Sequence, residues 1–211
     1  MFETLYDKLN GFHPGGLYCI ASRPGVGKTS LMLNITLDYA KKFNKKVLIF
    51  SLEMSKSEIG DRFYRTSGED QSIMKLPIFI DDESRVTPNY VKEKIASVKP
   101  DIVFIDYLQL MSADTKELGV NDIIYNLKCI AAESDISIVI LSQMKSYRGR
   151  PELLTLRRSG ISDQSFDGVV FLYKPEIVEI IVAKNRYSDT FTLNTTCSKW
   201  PELRYTECSE S

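Results

Sequence analysis

The segment that most restricts this chain is Ser22-Arg23-Pro24-Gly25-Val26-Gly27-Lys28-Thr29-Ser30, set between a short apolar run, Leu17–Ala21, and a helical pattern, Lys28–Phe43. Glycine lets a backbone curl closely around an anion, and the N–H groups of such a turn, with the positive end of the following helix, point at it. A buried strand, a glycine-rich turn and a helix opening on Gly-Lys-Thr form the context of a P-loop. Arg23, Pro24, Gly25, Val26, Gly27, Lys28, Thr29 and Ser30 are therefore the candidate nucleotide-binding stretch. Lys28 suits the β and γ phosphates and Thr29 a magnesium ion, so ATP with Mg2+ is the expected ligand pair. Ser22 stands where the pattern has its first glycine.

Further apolar runs of strand length follow at Val47–Leu52, Pro77–Ile80, Ile102–Ile105, Ile136–Leu141, Val169–Tyr173 and Ile177–Ala183. Most are apolar at consecutive positions, as strands covered on both faces are. Helical patterns lie between them: Pro88–Val98 opens on Thr87 and a proline, and Asn121–Ala132 on Asn121-Asp122. The alternation predicts an α/β fold, with a mostly parallel central sheet and helices on both faces. With 211 residues, 43% of them hydrophobic, the chain can fill one core. One domain is expected over 1–206, with Gly60–Leu76 and Ser112–Gly119 as polar surface stretches and 207–211 as a frayed tail.

Charge and cysteine content exclude several functions. Basic and acidic residues number 27 and 28, which rules out a globally basic binder and leaves nucleic-acid contact to a local segment. Cys19, Cys129, Cys197 and Cys208 are scattered and His13 is the single histidine, a poor basis for zinc. No apolar run approaches the ~20 residues of a membrane span. A cytoplasmic protein with reduced thiols is expected.

Hydrolysis at a P-loop needs acidic groups at neighbouring strand ends. Asp106 follows the run Ile102–Ile105 and suits the metal's water shell, while Glu53 follows Val47–Leu52 and suits the attacking water. Gln143 ends another buried run, where an amide can sense a γ-phosphate. Lys145–Gly160 then carries Lys145, Arg148, Arg150, Arg157 and Arg158 against one acid, Glu152. Such a loop, with the N–H of Gly160, can hold phosphates of single-stranded DNA without reading sequence.

In order, Gly11-Phe-His-Pro-Gly-Gly16, Ser22–Ser30, Phe50-Ser-Leu-Glu-Met-Ser55, Asp106-Tyr-Leu-Gln-Leu-Met111, Leu141-Ser-Gln143 and Ala183-Lys-Asn-Arg186 resemble the C-terminal motor domain of DnaB-type replicative helicases. The resemblance runs from about Glu3 to Arg204. It implies a RecA-like fold, a hexameric ring with ATP at subunit boundaries, and translocation on single-stranded DNA. It further implies Glu53 as catalytic glutamate, Asp106 as Walker B residue, Gln143 as γ-phosphate sensor, and Lys184 and Arg186 as a pair reaching the neighbouring subunit's nucleotide. The family's channel-lining Arg-Glu-Ser-Gly reads Arg157-Arg158-Ser159-Gly160 here. The family's N-terminal collar and linker helix have no counterpart in this sequence, so primase contact is not expected and ring assembly stays open. The segment 57–76 is also shorter than the family's helical insertion. A RecA-like recombination or signalling ATPase, and a non-unwinding module that binds ATP and single-stranded DNA, share most of these features.

Overall fold

A computed structural model describes residues 3–145, 147, 149–197 and 205–208. The chain runs α1 (Glu3–Leu9), β1 (Leu17–Ser22), α2 (Lys28–Lys42), β2 (Val47–Ser51), α3 (Lys56–Thr66), β3 (Ile78–Asp81), α4 (Pro88–Val98), β4 (Ile102–Asp106) and α5 (Val120–Ser134). It continues through β5 (Ser137–Gln143), α6 (Leu153–Arg158), β6 (Gly168–Tyr173), β7 (Val178–Asn185), β8 (Phe191–Cys197) and β9 (Tyr205–Glu207). One sheet takes the order β3-β2-β4-β5-β1-β6-β7-β8-β9. Its strands are parallel from β3 to β6 and antiparallel from there to β9.

Side-chain alternation sorts the core into two layers. Tyr18 and Ile20 of β1 face Leu31 and Ile35 of α2 and Leu5 of α1, while Leu17, Cys19 and Ala21 face Ile124, Leu127 and Ala131 of α5. β1, β2, β4 and β5 are buried almost throughout, which is why they read as unbroken apolar runs. β3 is the edge strand and stays partly exposed, so it departs from that expectation: Phe79 retains 45% of its surface.

Several expectations need correction. The stretch Gly60–Leu76, read as polar surface, begins inside helix α3, Lys56–Thr66, which is opened by a capping box in which the Ser55 hydroxyl accepts from the Glu58 N–H and Glu58 accepts from the Ser55 N–H. Only Ile59, Phe63 and Thr66 of that helix are buried, too few apolar positions to betray its period. Asn121 does not cap α5: the helix starts at Val120, and Asp122 accepts from the Gly119 N–H. The expected tail begins too early, because Glu207 belongs to β9 and the Cys208 N–H bonds to Asn194 O; 209–211 lie outside the described residues. β8 and β9 escaped notice because threonine and asparagine interrupt β8 and three residues make up β9.

Candidate nucleotide site

β1, β2, β4 and β5 end side by side, and their carboxyl ends deliver the P-loop, Glu53, Asp106 and Gln143 to one cavity of about 700 Å³. Gly25 and Gly27 adopt φ of 74° and 113°, a left-handed backbone that glycine takes without strain. A side chain at Gly27 would also collide with the Tyr205 hydroxyl, which donates to Gly27 O. α2 opens directly behind this turn, so its first N–H groups face the cavity.

Ser22 explains its own departure from the glycine pattern. Its hydroxyl accepts a hydrogen bond from Lys28 Nζ at 3.3 Å and donates to Arg23 O at 2.8 Å. Lys28 is buried, and burial pulls its pKa below the ordinary lysine range against the opposing pull of Asp106 and Glu53. Thr29 Oγ1 donates to Asp106 Oδ2 at 2.7 Å. Burial raises the Asp106 pKa despite that bond and the nearby lysine. Glu53 sits exposed on the cavity wall, in a turn fixed by a 2.6 Å bond from the Ser51 hydroxyl to Met54 O. Arg62 of α3, Lys174 beyond β6 and Tyr205 of β9 also line the cavity. Sequence reasoning passed over these three. Arg62 carried the faint signal of a cation four residues after Glu58; Lys174 and Tyr205 carried none.

The expected cations take a different course. Lys184 Nζ donates to Asp163 O at 2.6 Å, and Arg186 Nη1 lies 2.6 Å from Asp167 Oδ1, both away from the cavity of their own chain. Asp167 is fully buried; its Oδ2 also accepts from Lys128 Nζ at 2.6 Å and from the Leu17 N–H at 2.8 Å. Arg157 places Nε and Nη2 on the two carboxylate oxygens of Asp163, at 2.5 and 3.2 Å. Arg150 turns to the antiparallel strands, where it meets Glu179 of β7 at 2.9 Å and Thr192 of β8 at 2.7 Å. The segment Lys145–Gly160, read as a loop, contains helix α6 at Leu153–Arg158, and two of its arginines are already paired within the chain. Arg158 is exposed and makes no ion pair among the described residues. Gly160, at φ 86°, is held by Asn121, which donates to Gly160 O and accepts from the Ser162 N–H. Arg148 lies outside the described residues.

Comparison with known proteins points the same way along the whole chain. The family model described as DnaB-like helicase C terminal domain matches residues 1–71 and 63–200. The replicative DNA helicase DnaB of Buchnera aphidicola subsp. Schizaphis graminum is 32% identical, over 88% of this chain and 50% of the relative; that of Geobacillus stearothermophilus is 31% identical, over 88% and 51%. The chain thus spans about half the length of the curated relatives it matches. Among solved structures, one described as an ATPase domain superposes with a TM-score of 0.89 at 26% identity, covering 99% of this chain and 90% of the other. A DnaB-like replicative helicase, whose interactions with primase were determined with it, superposes at 0.86 with 28% identity, covering 94% and 59%. With matching segments that together span nearly all its residues, the chain belongs to the DnaB-like helicase C-terminal domain family.

Proposed function

We propose that this chain is the ATP-hydrolysing motor of a DnaB-type DNA helicase, which acts in a homo-oligomeric ring on single-stranded DNA. One observation carries the proposal: Lys28, Thr29, Asp106 and Glu53, from three strand ends, converge on a single cavity behind a glycine turn. Family membership favours a helicase over a recombination or signalling ATPase.

The oxygen donors suit a hard cation. Thr29 Oγ1 and Asp106 Oδ2 stand 2.7 Å apart at the P-loop, and magnesium is commonly held by one or two such protein oxygens together with substrate phosphates and water. When bound, Mg2+ would supply neutralisation of the charge between β- and γ-phosphates. Lys28 exchanges the Ser22 hydroxyl for a phosphate oxygen, and the P-loop N–H groups hold the β-phosphate. Glu53 takes the proton of the attacking water as its oxygen bonds to the γ-phosphorus and the bond to the ADP oxygen breaks. The Gln143 amide contacts the γ-phosphate. Lys174 and Tyr205 line the same cavity, Tyr205 with its hydroxyl on Gly27 O. Lys184 and Arg186 complete the neighbouring subunit's site, and Arg148, Arg150, Arg157, Arg158 and Gly160 meet the DNA backbone.

The test is phosphate release with Mg-ATP, with and without oligo-dT, alongside analytical ultracentrifugation. Turnover that oligo-dT stimulates, in a ring-sized assembly, is the expected result. A persistent monomer that binds ATP and DNA without turnover overturns the motor in favour of a binding module.

A further inference from the structure

We propose that Gln109 is a positioning residue that fixes the sensor Gln143 to the strand end carrying Asp106. The proposal deepens the function above and rests on Gln143 contacting the γ-phosphate.

β4 pairs with β5 only from Ile102 opposite Ser137 to Ile105 opposite Ile140. Beyond that point β4 keeps only β2, with Asp106 opposite Ser51, and then leaves the sheet into a single 3-10 turn, Leu108–Leu110, while β5 continues to Gln143. On its other side β5 keeps β1, with Ser22 opposite Gln143. The backbone of Ser142 and Gln143 has therefore lost a strand on one edge, and unmatched peptide groups at a sheet end leave it slack.

Gln109 fills that gap with its side chain. Its Nε2 donates to Gln143 O at 2.9 Å and to Ser142 Oγ at 3.0 Å, and its Oε1 accepts from the Gln143 N–H at 3.2 Å. A carboxamide is chemically a peptide group, so one side chain offers both the donor and the acceptor that a neighbouring strand would offer. The turn bearing Gln109 is itself fixed, since Leu108 and Met111 are buried and the Leu110 and Met111 N–H groups bond back to Tyr107 O and Leu108 O. Gln143 lines the cavity that Asp106 floors. Through Gln109 these two groups move as one piece, and the segment from Lys145 onward starts immediately beyond the fixed residue.

Glutamate at 109 keeps the acceptor, deletes both donated bonds and sets a carboxylate against Gln143 O. Methionine keeps the size and deletes all three bonds. Fluorescence titrations with mant-labelled ADP and a mant-labelled β,γ-imido ATP analogue, each with Mg2+, measure the preference for the γ-phosphate. In Gln109→Glu and Gln109→Met we expect ADP affinity within about twofold of the parent and a preference for the triphosphate lower by about tenfold, as for two lost hydrogen bonds. Gln143→Ala should lose the same preference, and the double variant no more than Gln143→Ala alone. A residue that merely stabilised the fold would lower the melting temperature and leave the preference intact. If Gln143→Ala loses the preference while both Gln109 variants keep it, the positioning role is overturned and the sensor stands. If Gln143→Ala itself keeps it, the sensor falls and the positioning role with it.

Discussion

The nucleotide cavity and the cation cluster at Asp163 and Asp167 are built from the same kinds of side chain and stand in opposite states. In the cavity the reactive groups are largely unspent: Lys28 reaches only a serine hydroxyl at 3.3 Å, and Glu53 makes no hydrogen bond or ion pair among the described residues. In the cluster Arg157, Lys184 and Arg186 each hold a partner within the chain at 2.6 Å or less. A buried carboxylate such as Asp167 must keep its cations, because an unpaired buried charge is far costlier than an exposed one. The nucleotide end is ready within one chain. The cation end engages an outside phosphate only by exchanging one partner for another.

The largest effect expected from breaking this contrast is at Lys28. Lys28→Ala should lose both ATP binding and turnover, measured by nucleotide titration and phosphate release, since Lys28 is the buried lysine of the P-loop itself. Parent-level binding would show that the P-loop N–H groups suffice.

Arg186→Ala follows, with nucleotide affinity near the parent value and turnover lower by about 10³–10⁵, the usual worth of an arginine finger. Mixing it with Lys28→Ala creates interfaces that pair an intact P-loop with a neighbour's intact Arg186, so activity should return. Co-assembly without recovery would leave Arg186 as a structural partner of Asp167. Glu53→Gln should bind ATP as the parent does and turn over about 10²–10⁴ times more slowly, the range for a lost general base. Turnover at the parent rate would remove Glu53 from the chemistry.

The smallest effect sharpens the cation side. Asp163→Asn releases Arg157, so single-stranded DNA should bind more tightly, and the slope of log K against log salt should steepen by about 0.7 for one added phosphate contact. Fluorescence anisotropy at several salt concentrations measures it, and an unchanged slope would put Arg157 outside the DNA path. Arg157 holds the Asp163 carboxyl below the usual aspartate range. A depressed folded pKa means that the pair's stabilisation is present above the ordinary aspartate value near ~4 and is lost as pH falls through the lower one.

Legibility followed the distance over which each feature is decided. The P-loop is local, a turn and the helix start after it, and its residues could be named from nine consecutive letters. The buried strands β1, β2, β4 and β5 read as apolar runs because helices cover both their faces, whereas α3 and β8 show the solvent one side and their pattern thinned accordingly. Gln109 stood inside a recognised motif with no assigned task, since nothing local says that the β4–β5 pairing stops three residues before β5 ends.

By itself the sequence determined the α/β class, the anion turn and the identity of the acids that accompany it, because backbone freedom and hydrophobic period act over a few residues. Tertiary structure alone decided the partners. Thr29 meets Asp106 across 77 residues, because only β5 separates β1 from β4 in the sheet, and the Tyr205 hydroxyl reaches Gly27 across 178. The fold also brought Asp163 to Arg157 and Asp167 to Arg186 and set Lys184 against the Asp163 carbonyl, so that cations expected to meet an outside phosphate hold partners within the chain. Charge type is written in the chain, but whether a charge is free depends on what the fold buries beside it, and low dielectric makes that pairing compulsory.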